Sequence, residues 1–136
     1  MQIYIAYKYT HIKNKSELKV NLEHLADLLE KKGHNTFLLN RDAKAWGKKH
    51  VSTFNNVSTI IKNIFKSQCI VAYVNSSVIS PGIIFEFIVS KILQKRIVMC
   101  VDFQIENKVT FLKKFPTEIV IYNGIKDLEN KIDKIF

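Results

Sequence analysis

The sequence predicts a three-layer α/β domain, a five-stranded parallel sheet with helices on both faces. Three observations carry this. Short apolar runs alternate with amphipathic stretches from end to end. The resulting order β-α-β-α-β-α-β-α-β-α implies parallel strands joined by right-handed crossovers. The run Cys-Ile-Val-Ala-Tyr-Val at residues 69–74 is continuously apolar, as a central parallel strand covered on both faces must be. The chain has 136 residues, 47% of them hydrophobic, which is one domain's worth of core without disulfide staples.

The first strand covers residues 2–6 and ends at Tyr7, before the polar aromatic loop Tyr7-Lys8-Tyr9-Thr10-His11. A helix starts at Ser16 with Glu17. Leu18, Leu22, Leu25 and Leu29 line one face of it, and Gly33 ends it after Lys31 and Lys32. Residues 35–39 form the second strand. Residues 40–50 form a polar loop holding the single tryptophan, Trp46. A helix over 52–66 carries Val57, Ile60, Ile61, Ile64 and Phe65 on its apolar face. After the third strand, Ser80-Pro81-Gly82 opens a helix over 82–93. Strand four spans 97–101, a short helix 107–115, strand five 118–122 and a terminal helix 125–135. The whole of 1–136 is thus one Rossmann-like or flavodoxin-like domain, without repeats or linkers.

Composition narrows the functional classes. With 21 Lys+Arg against 12 Asp+Glu the net charge is +9, which favours anionic partners. The basic residues are scattered lysines with no arginine-rich stripe, so sequence-specific nucleic-acid binding is not expected. Cys69 and Cys100 lie in strand-like runs and read as buried hydrophobes. The four histidines show no ligand spacing with them, so no metal and no cofactor is expected. The opening residues lack the basic lead and apolar length of a signal peptide, and no run reaches membrane-spanning length. A soluble, cytoplasmic protein is expected.

In a parallel α/β fold ligands bind at the carboxyl ends of the strands. That edge collects Tyr7 to His11, Asp42 to Trp46, Asn75 to Gly82 and Asp102 to Gln104. No G-x-G-x-x-G, phosphate-loop or G-x-S-x-G motif is present. What the edge offers is a lone carboxylate, Glu86, in an apolar helix, together with the serine hydroxyls of Ser76, Ser77 and Ser80, aromatics, and a helix start suited to an anion. A carboxylate beside such a site suits attack on an oxocarbenium-like sugar carbon. The bland alternatives are a surface glutamate and a serine that only caps its helix.

Ile3-Tyr4-Ile5-Ala6, Gly33 before the second strand, and Ser80-x-Gly82-x-x-x-Glu86 after an apolar strand resemble the nucleoside 2-deoxyribosyltransferase superfamily. That superfamily includes deoxynucleoside monophosphate N-glycosidases. The resemblance covers about the first two-thirds of the chain. It implies cleavage or transfer at the N-glycosidic bond of a nucleoside or nucleoside 5′-monophosphate. Glu86 stands at the nucleophile's position and Tyr4 at that of the tyrosine holding it. Ser80 matches a phosphate-contacting serine, and Gly82 the motif glycine. Tyr7, Asp42 and Trp46 fall in loops that contribute to the substrate pocket. The resemblance also implies a homodimer. The chain departs from the pattern at Ile84 and Ile88, at Gln68 where an aspartate usually stands, and at Ile60 where the family carries a proton-handling carboxylate. Without a replacement, base departure slows by roughly two to four orders of magnitude. That leaves two alternatives: Asp42 takes the role, or the pocket binds nucleotides without turnover, as a sensor. A weaker resemblance is to TIR domains, some of which cleave NAD with a glutamate placed similarly after a serine. This chain lacks the cysteine and tryptophan common between the two.

Overall fold

The computed structural model describes residues 1–48 and 52–136. Lys49 and His50, which with Lys48 form a basic cluster, lie outside the described residues. The strands are β1 (Gln2–Tyr7), β2 (Asn35–Phe37), β3 (Cys69–Val74), β4 (Arg96–Asp102) and β5 (Glu118–Tyr122). The helices are α1 (Lys15–Lys31), α2 (Thr53–Lys66), α3 (Pro81–Ile92) and α4 (Ile125–Ile135). All pairings are parallel, in the order β2-β1-β3-β4-β5. This is the flavodoxin-like order, whose topological switch point lies between β1 and β3. The predicted α/β architecture is what forms.

Strand alternation divides the core in two. Ile3, Ile5, Val71, Tyr73, Val98 and Cys100 face α1 and α4. Tyr4, Ala6, Ile70, Ala72, Ile97 and Met99 face α2, α3 and the segment after β4. All six residues of β3 are buried, the physical counterpart of its uninterrupted apolar run. Both cysteines are buried and free.

Several boundaries differ from the sequence expectation, each for a visible reason. α1 is capped by Asn14, not started at Ser16. The Asn14 side chain accepts from the Glu17 N–H at 3.0 Å and donates to the Glu17 carboxylate at 3.1 Å, a reciprocal capping pair. At the other end Gly33 takes φ 88°, and His34 N–H returns to the Leu29 carbonyl at 3.2 Å, a Schellman closure. β2 stops at Phe37 rather than 39 because Asp42 accepts the Leu38 N–H at 2.8 Å and winds residues Leu39–Ala43 into a π-helical turn. The expected short helix over 107–115 is instead two 3-10 turns, Glu106–Lys108 and Thr110–Lys114, anchored by buried Val109 and Leu112. α2 departs most. Of its apolar face only Ile64 is fully buried, while Val57, Ile61 and Phe65, with Phe54, remain exposed. Among the described residues no helix is long and apolar enough to cross a membrane.

Candidate active site

Glu86 lies six residues after Ser80, in the second turn of α3. Ser80 caps that helix by accepting the Ile83 N–H at 3.2 Å, and Pro81 supplies the fixed φ suited to the first position. The helix packs over β1 and β4 on the α2–α3 side of the sheet, so Glu86 meets the strand face that bears Tyr4. The Tyr4 hydroxyl donates to Glu86 Oε1 at 3.0 Å. Tyr4 is itself held by stacking on Phe37, ring centroids 5.8 Å apart. Glu86 is only 7% exposed, and its Oε2 has no hydrogen-bond partner among the described residues. Burial pushes the Glu86 carboxyl up to about 8, and the Tyr4 hydrogen bond opposes that rise. The same burial, with the Glu86 charge, pushes Tyr4 well above the usual tyrosine range, so Tyr4 acts as a donor.

An open cleft of about 250 Å³ lies above this pair. Tyr4, Tyr7, Ser80, Gly82 and Glu86, all singled out in the sequence, line it together with Lys8, Tyr9, Asn40, Lys44 and Ile60. Glu86 is the one carboxylate among these. Ile60 sits in the wall, and its side chain is apolar.

Asp42 and Trp46 are not among the lining residues. The Asp42 carboxylate accepts the Leu38 N–H at 2.8 Å and the Arg41 guanidinium at 2.8 and 3.1 Å. Its visible work is to shape the turn after β2. Trp46, at φ 55°, packs against the α1 side of the core with Lys19 Nζ 5.3 Å from its ring centroid.

Two residues not singled out in the sequence, Asn40 and Lys8, also line the cleft. Asn40, inside the turn that Asp42 shapes, is 6% exposed. Its side chain accepts from the Tyr7 hydroxyl at 2.7 Å, while its backbone N–H donates to that hydroxyl at 2.8 Å. Lys8 is 9% exposed, donates to the Val78 carbonyl at 3.2 Å, and has no carboxylate within ion-pair distance among the described residues. Both stand at the carboxyl ends of strands, the one signal available for them.

Gly82 needs no left-handed backbone. A Cβ there would meet Ser80 Oγ at 3.9 Å, ordinary contact, so the fold does not require a glycine at this position. Gly82→Ala is therefore expected to leave the melting temperature unchanged or slightly raised, since alanine gains up to about 1 kcal/mol over glycine in a helix. The methyl group reaches the cleft mouth, and weaker ligand binding in titrations is the accompanying expectation.

Together these features define a class: a doubly wound α/β domain with a tyrosine-held buried carboxylate under a cleft at its switch point. Solved structures sharing this fold include the CMP N-glycosidase BcmB of Clostridium botulinum, 19% identical over all of both chains, TM-score 0.78. BlsM is 22% identical, matched over 97% of this chain and 86% of its own, TM-score 0.77. The 2-deoxyribosyltransferase of Bacillus psychrosaccharolyticus is 16% identical over 96% and 91%, TM-score 0.62. The fold is thus the one found in these N-glycosidases and deoxyribosyltransferases. No protein-family model matches the sequence, and no curated protein does.

Proposed function

We propose that this chain cleaves, or transfers at, the N-glycosidic bond of a nucleoside or nucleoside 5′-monophosphate, with Glu86 as the nucleophile. The observation that carries this is the asymmetry of the carboxylate. Oε1 is fixed by Tyr4, while Oε2 is buried without a partner beside the cleft. An unpartnered, poorly solvated carboxylate oxygen is costly to the fold and reactive towards an electron-poor carbon. In the reaction Oε2 bonds to C1′ as the C1′–N bond breaks, and its electron pair leaves with the base. Water or a second base then attacks C1′ and frees Glu86. Names borne by proteins of this fold point the same way.

The ligand's anionic end has its own support. Ser80 and the first turn of α3 line the cleft, and buried Lys8 brings a positive charge whose protein partner is one carbonyl. A helix start and an ammonium together suit a phosphate. The direct test is free base by chromatography after incubation with nucleosides, nucleoside monophosphates and NAD. Release from a nucleoside or its monophosphate is expected. Nicotinamide release alone, or no release combined with ligand-induced thermal stabilisation, contradicts the reading.

The protein works as a homodimer. Phe54, Val57, Ile61 and Phe65 on α2 and Phe85, Ile88 and Ile92 on neighbouring α3 are exposed. A contiguous apolar face of this kind favours a partner. Phe65 is 67% exposed, so Phe65→Asp is expected to preserve the fold and convert a dimer into a monomer in sedimentation velocity. A wild-type protein that sediments as a monomer at tens of micromolar contradicts this.

A further inference from the structure

With Glu86 as nucleophile, the cleft has no second carboxylic acid among the described residues to protonate the departing base. Glu86 is the one carboxylate lining the cleft, Ile60 is apolar, and the Asp42 carboxylate is engaged by Leu38 and Arg41. The cleft instead presents donors. Among them Asn40 is fixed in orientation. The Tyr7 hydroxyl receives the Asn40 backbone N–H, which leaves its own proton for Asn40 Oδ1. The carbonyl end of the amide is thereby used. Nδ2 carries two N–H groups and has no acceptor within hydrogen-bond reach among the described residues. Asn40 is more than nine-tenths buried in the wall of an open cleft, yet Nδ2 is not one of the buried unpartnered polar atoms among the described residues, so the amide's donor end is the part that meets solvent. A ligand acceptor in the cleft can take its N–H groups.

We infer that Asn40, positioned by Tyr7, receives the leaving nucleobase and stabilises it as an anion, in place of the carboxylic acid this cleft lacks. This rests on the Glu86 reading. As Glu86 Oε2 bonds to C1′ and the C1′–N bond breaks, the electron pair spreads from the glycosidic nitrogen onto the acceptor beside it. Asn40 Nδ2 donates to that acceptor and keeps its protons. The base takes its proton from water once released. Lys44, in the same wall, adds a positive field that favours the anion. Tyr7 touches no reacting atom in this scheme and acts by holding the amide.

A site that stabilises an anion without protonating it must be sensitive to the leaving group. Single-turnover rates are measured on uridine and 2′-deoxyuridine 5′-monophosphates and their 5-fluoro analogues, whose base is the better anion. Wild-type protein is expected to cleave the fluorinated compound much faster. Asn40→Ala is expected to lose about 10²- to 10³-fold on the unsubstituted substrate, the usual effect of removing one such donor, and distinctly less on the fluorinated one. A merely structural role for Asn40 lowers both rates alike. Equal losses, full activity in Asn40→Ala, or a wild-type rate indifferent to fluorine each overturns the inference while leaving Glu86 in place. A wild-type rate indifferent to fluorine overturns the inference even where Asn40→Ala fails to fold. Asn40→Asp, which keeps the size and the Oδ1 acceptor for Tyr7 but removes the Nδ2 donor, then supplies the residue-specific comparison. Absence of base release by wild-type protein from any substrate brings down the Glu86 reading, and this one with it.

Discussion

Glu86→Gln is expected to abolish base release and, at alkaline pH, to make the protein more stable. The two effects share one cause. Removing the nucleophile of a covalent mechanism costs on the order of four or more powers of ten in rate. The stability change follows from burial. The Glu86 carboxyl is raised from 4.5 to about 8 in the folded protein. Between those two values the folded state holds a proton that the unfolded chain has released. Stability contributed by the protonated carboxyl is therefore complete below about pH 4.5 and is lost as pH rises towards 8. Each pH unit between the two values corresponds to about 1.36 kcal/mol, so the ionised carboxylate destabilises the fold above pH 8 by between about 3 and 5 kcal/mol. Glutamine has the shape of the protonated acid and its oxygen still accepts from Tyr4. Thermal melts are expected to coincide for the two proteins at pH 4 to 5 within a few degrees and to separate by roughly 10–20 °C at pH 8.5. Melts that separate at pH 5 and coincide at pH 8.5 contradict the sign of the argument. Equal melting at both values contradicts the burial.

The second large effect concerns the pH dependence of the proposed reaction. In the proposed reaction Glu86 must ionise to attack, so kcat/KM is expected to rise tenfold per pH unit up to about 8 and then level. The Tyr4 hydroxyl is the group that favours the ionised form. A hydrogen bond to a charged acceptor contributes about 1.5–3 kcal/mol, which is one to two pH units. Tyr4→Phe is therefore expected to move the acid limb upward by that amount. The rate near neutrality falls about 10- to 100-fold and recovers in more alkaline buffer. A uniform loss at every pH assigns Tyr4 a packing role instead.

Much of the fold was legible because its signals are local and redundant. The six-residue apolar run of β3, the leucine face of α1 and the Ser80-Pro81-Gly82 start of α3 each specify one element. Their alternation leaves few topologies. The caps were harder. Ser16 and Asn14 are both competent N-caps, and which one serves depends on the reach of Asn14 to Glu17. The end of β2 depends on a contact between Leu38 and Asp42 that no hydrophobic pattern records. α2 read as an ordinary amphipathic helix because periodicity shows that an apolar face exists, not that this domain covers it.

The site divides along the same line. Glu86 stood out as a charge inside an apolar helix, and Tyr4 was tied to it through a resemblance that the geometry matches at 3.0 Å. Asn40 and Lys8 left no comparable trace, since a polar residue after a strand is the commonest of loop residues. Asp42 attracted notice as a carboxylate in the right loop. Its structural task, folding the turn that carries Asn40 to Tyr7, emerges only from hydrogen bonds made across four residues of sequence.

The central claim is that a bond forms between Glu86 and the sugar. The most direct measurement is to trap that ester. A nucleotide with fluorine at C2′ and a good leaving base slows both steps by destabilising the oxocarbenium-like transition state, and the glycosyl-enzyme accumulates when its formation remains the faster step. Intact-mass spectrometry followed by peptide mapping is predicted to find one fluorosugar per chain, on the peptide bearing Glu86, and none on Glu86→Gln. Base release with no adduct, or an adduct on another residue, contradicts Glu86 as the nucleophile.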